Sequence, residues 1–446
     1  MQIQLSDHFD YRRLIRFTLP SIGMMLFTSI YGIVDGIFVS NFAGKEAFTA
    51  VNFILPFVMI LGTLGFMLGT GGSALVAITM GEGNRERANR IFSLLVYFCI
   101  GSGILITVAG YFLIPPVARL LGAEGLLLEN CIRYGHIVVL GNAFCMLQLF
   151  FQTFFITAEK PRLGLAATVA AGVANIVLDF LLVGVWGFGL AGAAWATVAS
   201  QVVGGLFPIL YFALPNGSLL RLGRTRLEGR VLLRACTNGS SELMSNVSMN
   251  LVAMVYNAQL IRYAGEDGVA AYGVLMYITM IFLAIFIGYS VGTAPVIGFH
   301  YGAENHQELT GILKRSAVII LSSSVAMCLL AELLGRPLSA IYVGYDQDLL
   351  ALSTRAFRFY SLSYLFAGVA IYGSSFFTAL GDGLTSALIS FLRTLVFQIA
   401  AVMLLPLLIG TDGIWLSMVV AELFAALLAL TFILAKRKRF GYLVRE

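Results

Sequence analysis

Apolar runs of about 20 residues or more recur along this whole 446-residue chain, broken by short polar stretches, and that spacing leaves few folds open. Crossing a hydrocarbon core about 30 Å thick takes roughly 20 helical residues at about 1.5 Å each. Only 11% of the residues are charged, less than half the roughly 25% of a soluble domain. A water-facing surface cannot be built from so little charge, so the solvent is lipid. The pattern predicts twelve helices, at about 15–40, 48–80, 91–114, 128–157, 162–185, 190–213, 232–262, 268–298, 314–335, 350–379, 384–409 and 413–435. Several are too long to cross upright and must tilt, bend or project. The N-terminal MQIQLSDHFDYRRLIRF is polar and no small-residue cleavage site follows the first apolar run, so that run is expected to stay as a helix.

Lysine and arginine collect on the cytoplasmic side of membrane proteins. With the N-terminus inside, 20 of the 28 basic residues fall in inner segments, five (Lys45, Arg119, Arg133, Arg262 and Arg336) in outer ones, and Arg355, Arg358 and Arg393 within spans. Both termini are therefore expected in the cytoplasm. The basic residues form short clusters without interleaved aromatics, which argues against nucleic acid as a partner. Cys99, Cys131, Cys145, Cys236 and Cys328 lie scattered through apolar segments with no metal-ligand spacing and read as small core residues.

The polar stretch 214–230 falls at the midpoint and divides the chain into an N-terminal lobe, 1–213, and a C-terminal lobe, 231–446. A shift of 221 residues carries Ala43 and Gly44 onto Ala264 and Gly265, Ala50 onto Ala271, Gly71 onto Gly292, and Gly81 and Asn84 onto Gly302 and Asn305. The same shift carries Thr157 and Ala158 onto Thr378 and Ala379, and Gly189 and Gly192 onto Gly410 and Gly413. Six helices per copy give both copies one orientation, related by an axis along the membrane normal, with a binding cavity between them.

An ionisable group deep in a span costs about 2.5 to 3.5 kcal/mol for Asp on insertion scales, so intramembrane acids are informative. Asp35, in YGIVDGIFVSN, and Asp179, in ANIVLDFLLVGVW, lie roughly 27 Å and roughly 26 Å along their helices from the inner start. Asn175 precedes Asp179 by one helical turn and shares its face, where an amide can bond a carboxylate whether or not it is protonated. The set can hold H+ or Na+; the alternative for each acid is pairing with a buried polar neighbour. The repeat places Tyr256 at the position of Asp35 and Ala400 at that of Asp179, so ion coupling is expected in the first lobe, with the second as cavity wall. Glu242 is a candidate cavity acid for a cationic substrate, with Tyr256, Met244 and Met276 as candidate cavity lining. Glu422 either serves likewise or pairs with Arg393, and Glu332 is expected to snorkel. Pro20 and Pro56 can seed bends, and Pro20 is a candidate gate because it shares a helix with Asp35.

No phosphate loop exists: GTGG at Gly69–Gly72 lacks a following GK[ST], and Gly44-Lys45 is followed by Glu46. HExxH and GxSxG are absent as well, so an enzyme is not expected. Glycosylation triplets at Asn216, Asn238 and Asn246 fall inside or within a span.

The blocks YGIVDGIFVSNFAGKEAFTAVNFILPF, GTGGSALVAITMGEGNRERANR, NIVLDFLLVGVWGFGLAGAAWATVASQ and GYSVGTAPVIGFHYGAENH resemble the multidrug and toxic compound extrusion (MATE) family over essentially the whole chain. ALGDGLTSALISFLR and GTDGIWLSMVVAE resemble its branch of DinF-like and MepA-like bacterial exporters. The resemblance implies an all-α membrane protein with twelve transmembrane helices in two pseudo-symmetric six-helix lobes. It implies an antiporter that expels small amphipathic organic cations in exchange for H+ or Na+ by alternating access, without a cofactor, as a monomer in the bacterial inner membrane. It implies that Asp35, Asn175, Asp179 and Tyr134 form the coupling site and that Pro20 bends. SLSYLFAGVAIYGSSFF holds no acid where some relatives place a coupling acid in helix ten, against a C-lobe sodium site. A lipid or oligosaccharide-lipid flippase of the same superfamily is the alternative.

Overall fold

The computed structural model describes residues 3–43, 45–344 and 346–443; Gly44 and Arg445, counted above, lie outside the described residues, as does the Lys45 side chain. Nine helices among the described residues are long and apolar enough to cross a bilayer, and two bent pairs bring the number to eleven. The longest, Gly229–Gly302, runs 74 residues and breaks at Gly265, where φ is 65° and ψ −158°. Glycine takes that conformation without the steric cost a Cβ would bring. Divided there, the described residues make twelve spans, as the apolar runs predict.

We number them α1 (Tyr11–Phe38), α2 (Lys45–Gly81), α3 (Arg85–Leu120), α4 (Gly125–Leu140 and Asn142–Thr157), α5 (Pro161–Asp179 and Phe180–Val185) and α6 (Gly189–Ala213). The second lobe follows with α7 (229–264), α8 (266–302), α9 (His306–Val343), α10 (Gln347–Ser361 and Tyr364–Ala379), α11 (Gly383–Ile409) and α12 (Thr411–Ala435). Pro20 and Pro56 both sit inside continuous helices. The sharp bends lie elsewhere, 53° at Gly141 in α4 and 50° between Ser361 and Tyr364 in α10. At Gly141 a Cβ would stand 3.3 Å from the Val198 Cα and would displace the Gln201 side chain, so α6 packs closely where the helix turns.

The buried side chains form one shared core at the basic end and two separate cores at the other. The shared core joins Leu68, Phe92 and Phe154 of the first lobe to Tyr289, Phe376 and Leu380 of the second. Beyond it, Ile54, Tyr134 and Val183 pack among themselves, and so do Tyr256, Phe357 and Trp415. The core is thus single at the basic end and divided between the two lobes at the opposite end.

Glycines close the seam at the basic end. A Cβ on Gly71 would sit 2.1 Å from the Ala235 carbonyl, on Gly81 2.0 Å from that of Phe299, and on Gly302 2.0 Å from that of Ile78. The 221-residue shift carries Ile78 onto Phe299 and Gly81 onto Gly302, so this contact maps onto itself under the pseudo-twofold. At the opposite end Gly32, Gly36 and Gly273 meet nothing within 4 Å.

Two features depart from the sequence reading. The stretch 214–230 is partly built into the first lobe: Leu220 is fully buried, and the Arg221 amide donates to Asn89 Oδ1 at 2.7 Å. The C-terminal tail repeats this, with Tyr442 buried and the Leu443 amide donating to Thr310 Oγ1 at 3.1 Å. The repeat also slips by one residue after α3. The turn amides of Ala158, Glu159 and Lys160 correspond to those of Leu380, Gly381 and Asp382, an offset of 222, so Thr157 and Ala158 do not stand in register with Thr378 and Ala379.

Candidate functional site

Helices α1 and α5 run side by side in the same direction because α5 presents glycines to α1. A Cβ on Gly164 would lie 3.1 Å from Met24 Sδ, and one on Gly172 2.3 Å from Phe27. Small residues of this kind let membrane helices approach closely. The ladder climbs from Gly23 against Leu165, through Phe27 and Tyr31 against Gly172, to Asp35 beside Asn175 and Asp179. The two carboxyl groups lie close enough to influence one another, with Asn175 beside Asp35.

Asp179 is fully buried, and neither of its carboxylate oxygens has a hydrogen-bond donor among the described residues. Asp35 Oδ1 and Asn175 Oδ1 are likewise buried without a partner. The ion pairs among the described residues all lie elsewhere, so no described lysine or arginine side chain pairs with this cluster. Buried polar groups are nearly always satisfied, and the exceptions need an explanation. Here an exchangeable cation would satisfy every orphaned oxygen at once.

Tyr134, on the first half of α4, is buried next to both aspartates and beside Thr197. Four of the coupling candidates, Asp35, Asn175, Asp179 and Tyr134, are thus brought together. Sequence reasoning missed Tyr31, which lies near Asp35 and Gln148; its place four residues before Asp35 on one helical face was the available signal. Both acids adjoin wide π-helical turns, Val39–Ala43 after Asp35 and Phe180–Val185 after Asp179, a distortion frequent at functional sites. Pro20 is buried in unbroken α1.

The second lobe buries charge differently. A third π-turn, Leu392–Phe397 in α11, carries Arg393, whose Nε donates to Glu422 Oε2 at 2.8 Å and to Oε1 at 3.0 Å. Glu422 is completely buried and Arg393 only 13% exposed. Of the two readings of Glu422, the paired one holds. Glu242 on α7 is half-buried and lies near the same guanidinium. Met244 is exposed and Met276 half-buried against the C-lobe core. Tyr256 does not form open wall: it is 2% exposed in that core, stacked on Tyr272 at 5.1 Å. Glu332 does not simply snorkel, because it accepts a hydrogen bond from Ser361 Oγ.

The polar N-terminus also packs inward. Leu5 and Phe9 are fully buried; the Leu5 amide donates to Glu159 Oε1 at 2.6 Å, and the Phe9 amide to Glu308 Oε1 at 2.9 Å. His8 reaches Glu308 Oε2 at 2.6 Å. The segment before α1 therefore straps one lobe to the other across the basic end.

Comparison with known proteins matches the sequence profile of the MatE family twice, over residues 20–181 and 243–404, one match per lobe. The chain is 24% identical over 430 residues to the multidrug export protein MepA of Staphylococcus saprophyticus, covering 96% of this chain and 94% of that one. A MATE transporter crystallised in complex with MaL6 superposes with a TM-score of 0.91 at 23% identity, covering 97% of both chains. A multidrug resistance MATE family transporter of the MOP superfamily, solved in an outward-facing conformation, gives the same score, identity and coverage.

Proposed function

Because the chain belongs to the MatE family, we propose that it is a multidrug exporter that exchanges small amphipathic organic cations for H+ or Na+. The observation that carries this reading is the uncompensated acid cluster of Asp35, Asn175 and Asp179 in the first lobe. With the outer cleft open, the aspartates take up the coupling cation and the organic cation leaves. After the lobes reclose outside and part at the basic end, the coupling ion departs to the cytoplasm and new substrate enters. Each ligand shifts that equilibrium only by its differential affinity for the two states. Glu242, on the C-lobe helix with exposed Met244, is the acid that attracts the organic cation. The protein acts in the bacterial inner membrane with both termini in the cytoplasm, as a monomer.

The test is ethidium efflux from vesicles in which the pH and sodium gradients are set independently. Efflux should follow one of the two gradients. Efflux that persists with both collapsed overturns the reading, and transport of a labelled lipid precursor in place of ethidium would favour a flippase.

A further inference from the structure

At the basic end, where α1 and α5 begin side by side, a cavity of about 440 Å³ opens between them. Arg16, Lys160 and Arg162 line it together with Phe17, Pro20 and Leu163. Arg16 and Arg162 are exposed, and neither makes an ion pair among the described residues. The acid of the lining, Glu159, already accepts the Leu5 amide. Helix α5 starts at Pro161 with no side-chain cap from Lys160, which leaves the positive end of its dipole facing the cavity mouth. Arg16 and Arg162 beside an uncapped helix start, with the nearby carboxylate already engaged, make this a site for an anion.

The apolar part of the cavity narrows the choice of anion. Ile15 and Leu19, one residue before and three after Arg16 on α1, are 46% and 60% exposed. In a chain that spans a bilayer these side chains meet acyl chains. Cations at headgroup depth next to an apolar stripe are what a phospholipid presents its two ends to, and basic pockets between transmembrane helices hold anionic headgroups.

We propose that this cavity binds the phosphate of an anionic phospholipid from the leaflet at the basic face, with Arg16 and Arg162 as its principal partners. The ligand's lower chain segment lies along Ile15 and Leu19, and its headgroup rests against Phe17 and Pro20. The site depends on the chain spanning a bilayer and not on which ion drives transport.

Native mass spectrometry of the full-length protein with phosphatidylglycerol, phosphatidylcholine or inorganic phosphate tests it. Phosphatidylglycerol should bind in preference to phosphatidylcholine. The double variant Arg16→Gln, Arg162→Gln should weaken phosphatidylglycerol binding about 30-fold, and each single variant about fivefold, from about 1 kcal/mol per cation at a lipid surface. Arg224→Gln with Arg226→Gln, an equal loss of charge in the inter-lobe segment, should leave it unchanged. Equal losses in the two double variants, or equal binding of the two lipids by wild type, overturns the proposal. So does binding of inorganic phosphate that depends on Arg16 and Arg162 without binding of phosphatidylglycerol. Should the double variant fail to fold, the two single variants carry the same comparison.

Discussion

Each lobe buries acid near a π-helical turn, yet only the second supplies a base to match. Glu422 meets Arg393 at 2.8 Å in the C-terminal lobe, whereas Asp35 and Asp179 in the N-terminal lobe interact with each other and leave oxygens unpartnered. At the offset of 222 that holds after α3, Ala171 stands where Arg393 does, and Tyr256 stands where Asp35 does, so the two repeats share a scaffold but differ in the charges they bury. A buried pair that is satisfied by its own chain has no reason to bind anything. A buried pair of like charges is held only by a cation from outside, and that cation can leave.

Removing one partner of a buried ion pair strands the other. Glu422→Gln should therefore destabilise the protein by about 3–5 kcal/mol in chemical unfolding, and replacing both Arg393 and Glu422 by Met should recover most of it. A stability loss below about 1 kcal/mol would show that the C-lobe pair is not structural. Asp179→Asn should move stability the opposite way, up by about 1–3 kcal/mol, because it replaces an unsatisfied carboxylate with an amide whose N–H can donate to Asp35. A large loss there would erase the contrast between the lobes.

The seam that closes the basic end offers a sharper probe of the two-lobed frame. Gly81→Leu and Gly302→Leu occupy equivalent positions, each driving a side chain into the facing backbone. Both should bias the molecule away from the form closed at the basic end by about 1–3 kcal/mol, read as longer distances between spin labels on the basic ends of α2 and α8. An effect in only one of the two would mean that the seam is not symmetric in energy.

The smallest effect lies in the anchors of the two tails. Burial raises the Glu159 carboxyl above its ordinary value, and more than offsets the Leu5 amide and the nearby Lys160 and Arg85, with Asp7 adding to the rise. Burial raises Asp382 too, but hydrogen bonds from Lys436 and Thr385 outweigh it, and the group ends below its ordinary value. A raised carboxyl favours its protonated form when folded, a contribution complete below about pH 4 and lost as pH rises through the folded value. A depressed carboxyl contributes above about pH 4 and loses that contribution only as pH falls through its still lower folded value. Lowering pH from 7 toward 5 should therefore change spin-label mobility at Ser6→Cys in the N-terminal strap before it changes mobility at Gly441→Cys in the tail. Simultaneous changes would sever the strap from Glu159.

Helical rise and charge were enough to locate Asp35, Asn175 and Asp179, because depth in a span is a matter of counting residues and the carboxylates stand out against lipid. The all-helical membrane fold was equally legible, since it follows from apolar length and spacing. The bends were not. Proline draws attention in a sequence, but Pro20 and Pro56 are absorbed by straight packing, while Gly141 bends where another helix presses on it. The N-terminal strap was hidden for a related reason: Leu5 and Phe9 are two apolar residues in a polar run, and their burial depends on Glu159 and Glu308, which lie 154 and 299 residues away. The slip from 221 to 222 arises in the loop after α3, where sequence matches on either side gave no sign of it.

The claim that an uncompensated acid pair is the exchanging site is tested most directly by substrate-driven cation movement in proteoliposomes, measured side by side for the two lobes. Asp35→Asn with Asp179→Asn should abolish the coupled H+ or Na+ flux while the protein stays folded, and Arg393→Met with Glu422→Met should leave that flux intact. Coupled flux that survives in the first variant, or vanishes only in the second, would contradict the account.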